Sequence, residues 1–278
     1  MKKPLIIIPA YNVEKEIGRL LDNLLEYRDR LVVINDGSDD STLSIIRTKG
    51  FFVLNNNINK GISFSVKKGI EWAKSKEYDK IILMDSDGQH DPKFIPRFEE
   101  ALNYCDFVYG NRFGKNIYLP STKIASNMMA ALLVNSICES NISDVACGFK
   151  AFCLNKGIEN IIDVSECYSI VYDILLYSLC NQLKIRSVDI SAIYYPNELW
   201  FTRIDELIAL LASIERFAKK EKLNKLNINV MKNKISNKKN FTVKIMGYDF
   251  FAFYVNNKNG YIIQSNIENL YEYANGVL

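Results

Sequence analysis

KIILMDSDGQHDP, residues 80 to 92, carries a short apolar run straight into carboxylates. Ile81 to Met84 are apolar without a break and are followed by turn residues, which reads as a buried strand. Asp85-Ser86-Asp87 stand at the carboxyl end of that strand, and ligands of open α/β sheets bind in the crevice outside the carboxyl ends. Two carboxylates on such a loop suit Mg²⁺ or Mn²⁺, hard cations that prefer oxygen and keep positions open for substrate phosphates. Gln89 and His90 follow closely enough to extend the shell. DSDG is also good turn chemistry, so the carboxylates alone leave a solvated turn as the alternative.

Outward from this stretch, apolar runs alternate with helical patterns over the first two-thirds of the chain, the signature of a mostly parallel sheet flanked by helices. LIIIP at 5–9, LVVIND at 31–36 and FFVLNN at 51–56 are predicted strands. Helices are predicted from about Val13 to Tyr27, over DDSTLSIIRTKG and over 61–76. Further on, 94–104, the stretch beginning STKIASN, Tyr168 to Leu183 and 204–223 read as helices. DFVYGNRF reads as a strand and loop, and 186–196 as a strand. These elements define a domain over 1–223. KKEKLNKLNINVMKNKISNKK is rich in Lys and Asn, and 224–240 is taken from it as a solvated connector. The β-rich run of 241–265, with turn signals at Gly247-Tyr248-Asp249 and Asn256 to Gly260, predicts a small antiparallel sheet followed by a helix, an α+β appendage over 241–278.

Composition excludes several classes. Apolar residues make up 48% and charged residues 24%, the balance of an ordinary globular protein. A net charge of +3 gives no basis for nucleic-acid binding. The six cysteines have no CxxC spacing, which argues against a zinc site and a secreted disulfide framework and for reduced, buried thiols. Pro9 and Asn12 interrupt the first apolar run too early for a signal peptide, and no stretch reaches the roughly 18–20 apolar residues of a membrane span. A cytoplasmic protein, peripheral to the membrane at most, is expected.

IIIPAYN at 6–12, VVINDGSDDST at 32–42, Asn59-Lys60-Gly61, DSDGQHDP at 85–92, YGNRF at 109–113 and SDVACGFKAF at 143–152 occur in one order. In this ordered set the chain resembles the family 2 glycosyltransferases of GT-A fold, most closely their polyprenyl-phosphate branch, typified by dolichyl-phosphate mannose synthase. The resemblance spans about residues 4–200 and implies a UDP- or GDP-hexose donor. It implies that Pro9 and Tyr11 line the base pocket, that Asp36 accepts a base N–H and that Lys60 contacts the base or diphosphate. A helix or turn cap is the alternative role for Asp36. Asp85 would touch ribose or metal, Asp87 would be the principal metal ligand, and Gln89 would add to the site. Arg112 matches an arginine that pairs with the acceptor phosphate of a polyprenyl lipid, as guanidinium does in bidentate geometry.

Departures from the branch bear on the acceptor. Where relatives present another Arg with a Ser one turn later, this chain has Lys123 with Ser126 or Asn127, and Arg203 is the one basic candidate in YYPNELWFTR. A hydroxyl acceptor would need a general base, for which Asp144 and Asp173 are the first choices. His90, the single histidine, is a secondary candidate at the metal, and Cys147 reads as a packed thiol rather than a nucleophile. Three readings therefore stand: inverting hexosyl transfer to polyprenyl phosphate, the same donor chemistry with a glycan, glycolipid or protein hydroxyl, and a non-catalytic sugar-nucleotide scaffold. The appendage is the expected surface for a partner or a second copy.

Overall fold

The computed structural model describes residues 2–114, 121–163, 169–191, 209–210, 213–214, 216–217, 229–235, 238–245, 248–255 and 260–265; the side chains of 121–126, 129, 160, 162–163 and all from 229 onward lie outside the description. In chain order the elements are β1 (Leu5–Ala10), α1 (Ile17–Asp22), β2 (Leu31–Asn35), α2 (Thr42–Thr48), β3 (Val53–Asn55), α3 (Ile62–Ser75) and β4 (Lys80–Leu83). They continue with α4 (Ile95–Ala101), β5 (Phe107–Asn111), α5 (Ser121–Cys138), β6 (Lys150–Cys153), α6 (Ile170–Cys180) and β7 (Ile185–Asp189).

The seven strands form one sheet in the order β3-β2-β1-β4-β6-β5-β7. All neighbours run parallel except β6, which is antiparallel to both β4 and β5. The order reverses between β1 and β4, and a switch point of this kind opens a crevice at the carboxyl ends of the strands. Successive residues of a strand face opposite sides, and here both sides are covered. Leu5 and Ile7 join Val32 and Ile34 in a core with residues of α3, α5 and α6. Ile6 and Ile8 join Leu31 and Val33 in a second core with residues of α1, α2 and α4. Burial on both faces is why these strands are unbroken apolar runs instead of alternating ones. Each such side chain contributes about 1.5–3 kcal/mol, so the inner strands hold the strand ends as a rigid frame.

Three differences from the sequence expectations have local causes. The helix expected from Val13 to Tyr27 is only α1, followed by a 3-10 turn over Leu25–Arg30, because Asp22 and Asn23 favour a turn over a continued helix. The strand β6 lies in SDVACGFKAF, where the lysine in KAFC hid an apolar run. The third difference is the connector. Residues 229–235 form β8 (Asn229–Ile235), and β9 (Lys238–Ile245) begins inside it too. Lysine and asparagine content measures solvation, whereas the β8–β9 ladder from Asn229↔Lys244 to Ile235↔Lys238 is made by backbone groups that any side chain permits.

With β10 (Tyr248–Val255) and β11 (Gly260–Ser265) these strands form an antiparallel sheet in the order β11-β10-β9-β8. Tyr248 and Asp249, expected in a turn, instead pair with Ile245 and Lys244 as the start of β10, and the second expected turn, Asn256 to Gly260, lies outside the described residues except for Gly260, which pairs with Val255. The expected final helix lies outside the described residues. Ala209, Leu210, Ser213 and Ile214, within the expected helix 204–223, are helical and buried, so this part of the stripe packs as core.

Candidate active site

The carboxyl ends of β1 and β2 are stitched together by the AYN and GSDDST segments. Ser38 Oγ accepts from Asn12 N, Asn12 Oδ1 accepts from Asp39 N, and Thr42 Oγ1 accepts from Val13 N at 2.8 Å. Asp40 Oδ1 accepts from Thr42 N, which is how the α2 amino end is capped. Pro9 is buried within β1, while Tyr11 just after it is 45% exposed. Asp36 is 3% exposed and accepts from Asn56 Nδ2 at 2.8 Å, Lys60 N at 3.1 Å and Gly61 N at 2.7 Å. Asp36 thus fixes the loop that carries Lys60. The loop lies directly on Gly37, which has φ +70°; a Cβ there would meet Asn59 N at 2.6 Å. Lys60 is exposed with its Nζ 4.4 Å from the Phe64 ring centre.

Asp85 and Asp87 follow β4 in the turn of Gly88, and both are partly exposed. Burial raises the Asp85 pKa although 32% of its side-chain surface is open, with Lys150 and Arg112 pulling it back. The Asp87 pKa is also raised, first by burial and then by the like charge of Asp85. Two carboxylates that oppose each other's ionisation are stabilised together by a cation between them. Gln89 N donates to Asp87 Oδ1 at 2.9 Å. Among the described residues no group of three or more His, Cys, Asp or Glu side chains could hold a metal alone. Asp85 and Asp87 are oxygen donors of the kind a hard cation takes together with substrate oxygens.

His90 is packed into the interior beside this loop. It is 3% exposed, its Nδ1 accepts from Asp85 N at 3.4 Å, and its ring stacks on Phe149 at 5.3 Å. Burial lowers its pKa to about 4 against the opposing pull of Asp87, so the ring is neutral and braces the loop. Cys147, whose Sγ is 3.9 Å from His90 Nε2, is fully buried with its pKa pushed up to about 12 by burial, a packed thiol.

Arg112 and Asp144 meet at the end of β5. Asp144 is fully buried and accepts from Arg112 N, Nε and Nη2, while Asn127 on α5 holds the surrounding loop through Ser143 O, Val145 N and Ala146 N. Asp144 in this state orients an arginine, with an Arg112 donor on each of its oxygens. Asp173 is likewise fully buried, between Arg216 Nη1 at 2.6 Å and Ser169 Oγ at 2.7 Å. Lys123 and Ser126 fall on α5, the helix that also presents Asn127, but their side chains lie outside the description, and so does Arg203.

Sequence reasoning missed Lys150, Asn55 and Asn56. Lys150 is fully buried on β6 and donates to the Cys147 carbonyl. Asn55 accepts from Asn35, and Asn56 links Asp36 to Lys68. The run Asn55-Asn56-Asn57 at a strand end was the available signal, since buried amides there must find partners.

The family profile described as Glycosyl transferase family 2 matches residues 5–156, more than half of the chain. Undecaprenyl-phosphate mannosyltransferase of Micrococcus luteus is 29% identical over 160 residues, covering 53% of this chain and 65% of that protein. UDP-N-acetylglucosamine–dolichyl-phosphate N-acetylglucosaminyltransferase of Methanococcus voltae is 25% identical over 217 residues, 68% of this chain and 85% of that protein. Among solved structures, glucosyl-3-phosphoglycerate synthase of Mycobacterium tuberculosis in complex with Mn²⁺, UDP and glucosyl-3-phosphoglycerate aligns with a TM-score of 0.56 at 19% identity, covering 77% of this chain and 80% of that one. The sheet and its flanking helices are thus the GT-A arrangement of a sugar-transferring enzyme. The chain belongs to glycosyl transferase family 2, on the side of its polyprenyl-phosphate glycosyltransferases.

Proposed function

We propose that this enzyme moves a hexose, with inversion, from a UDP- or GDP-sugar to a polyprenyl phosphate at the cytoplasmic face of a membrane, with Mg²⁺ or Mn²⁺ held by Asp85, Asp87 and Gln89. The observation that carries the acceptor half is the state of the two alternative bases. Asp144 and Asp173, on which a hydroxyl acceptor would call, are both fully buried and paired with arginines. A phosphate is already anionic and needs no base; it needs an oriented cation, which Arg112 supplies. The named relatives act on undecaprenyl and dolichyl phosphate, in keeping with this reading. No described helix is long and apolar enough to cross a membrane, so the lipid phosphate would be met at a surface.

The residues divide the work. Pro9 and Tyr11 at the end of β1 and the Asp36-anchored loop with Lys60 receive the base, ribose and diphosphate. Asp85 and Asp87 hold the cation, which when bound neutralises charge on the departing nucleoside diphosphate. Arg112, fixed in plane by Asp144, receives the acceptor phosphate, with Lys123 and Ser126 on α5 completing that side. Calorimetric titration with UDP and with GDP, each with and without Mn²⁺ and repeated on Asp87→Ala, tests the donor half. Metal-dependent binding of one nucleotide, lost in the variant, is expected; no binding of either would overturn it.

A further inference from the structure

β6 runs antiparallel beside β4, and Leu83 pairs with Lys150. Continuing that register by two residues sets Gly148 opposite Asp85. Gly148 lies between the fully buried Cys147 and Phe149, and the space of its missing side chain is taken. A Cβ at Gly148 would stand 2.5 Å from Asp85 Cγ and Oδ1 and nearer still to Oδ2. The carboxylate is also flanked by His90, whose Nδ1 is 3.8 Å from Oδ2. That ring is stacked on Phe149, which is itself stacked on Phe98 at 4.1 Å. Asp85 therefore fills the slot left by the glycine, with the stacked His90 and Phe149 rings beside it.

The backbone of the slot is itself held. Lys150 Nζ donates to the carbonyl of Cys147, the residue before Gly148, from a fully buried position. Burial lowers the Lys150 pKa, with the carboxylates of Asp144 and Asp85 pulling the other way. The lysine ties the Cys147–Gly148 segment to β6 through that hydrogen bond.

We propose that Gly148 and Lys150 are positioning residues for Asp85, Gly148 by leaving the slot that its carboxylate fills and Lys150 by bracing the turn that forms the slot. The consequence for metal and nucleotide rests on the donor reading above; the geometry does not. The test is a double-mutant cycle on the full chain, with Gly148→Ala, Asp85→Ala and the pair together, read by urea denaturation without metal and by calorimetric binding of UDP with Mn²⁺. Gly148→Ala is expected to lower the urea midpoint and to weaken Mn²⁺-dependent UDP binding at least about tenfold, a 1.4 kcal/mol change. In the Asp85→Ala background, where the slot is empty, adding Gly148→Ala is expected to cost little further in either readout. An equal loss in both backgrounds would overturn the proposal. Should Gly148→Ala alone fail to fold, folding of the double variant is the expected rescue, and its failure would overturn the proposal as well. If the parent protein shows no Mn²⁺-dependent UDP binding, the donor reading fails while the denaturation cycle still decides the positioning. Lys150→Met, its folding checked by the same curve, is expected to weaken UDP binding by a similar factor; parental affinity would remove Lys150 from the device.

Discussion

Arg112 and Asp144, 32 residues apart in sequence, form a two-pronged ion pair in which Nε donates to Oδ2 at 2.7 Å and Nη2 to Oδ1 at 2.9 Å. The carboxylate is fully buried and its loop is clamped by Asn127, so the guanidinium plane is set before any substrate arrives. Pairing of this kind is directional, and it separates Arg112 from a solvated surface cation.

Breaking the pair should damage both stability and turnover. Arg112→Ala leaves Asp144 charged and buried, with an expected loss of about 3–5 kcal/mol in urea denaturation. Arg112→Lys keeps the charge but not the fork, and initial rates of transfer are expected to fall about 10²-fold, the equivalent of roughly 2.7 kcal/mol.

Asp36 takes three donors, from Asn56, Lys60 and Gly61. Asp36→Asn replaces one accepting oxygen with an NH₂ that must face an N–H. Hydrogen exchange in residues 56–61 should accelerate, and nucleotide affinity should fall about tenfold, or 1.4 kcal/mol. Unchanged exchange would separate Asp36 from the loop.

Thiol labelling distinguishes packed from open cysteines. With its pKa pushed up to about 12 by burial, Cys147 is a neutral thiol at pH 8 and should resist a disulfide reagent until the protein unfolds. Cys180 is exposed and should react in the native protein. Mass mapping after a short pulse reads both.

Arg216→Ala should act on stability alone. It strands the buried Asp173 with Ser169 as its remaining described partner, an expected cost of about 3–5 kcal/mol. Nucleotide affinity of the folded fraction should match the parent's, because the pair ties α6 to the helical residues around Ile214 rather than to the crevice.

The parts legible in sequence were those with a period or a punctuating residue. LIIIP, LVVIND and KIILMDSD announced buried strands because both sheet faces are covered, and the carboxylates of DSD stood out against the apolar run. What stayed hidden depends on contacts between distant segments. KAFC is only four residues with a lysine at its head, and its pairing with β4 and β5 makes it a strand. The pairing of Asp144 with Arg112 joins residues 32 apart and leaves no local signal in sequence. In NVMKNKI the lysines and asparagines masked a backbone ladder to β9 that side-chain composition does not report.

Hexosyl transfer to a lipid phosphate is tested by incorporation of radiolabelled hexose from UDP-glucose, UDP-N-acetylglucosamine and GDP-mannose. Each donor is offered polyprenyl phosphate or the corresponding free polyprenol, with Mn²⁺ present. The account predicts label in the polyprenyl phosphate product from one donor, little with free polyprenol, and loss of the signal in Asp87→Ala. Equal labelling of free polyprenol, or labelling only of a glycan or protein hydroxyl, would contradict it.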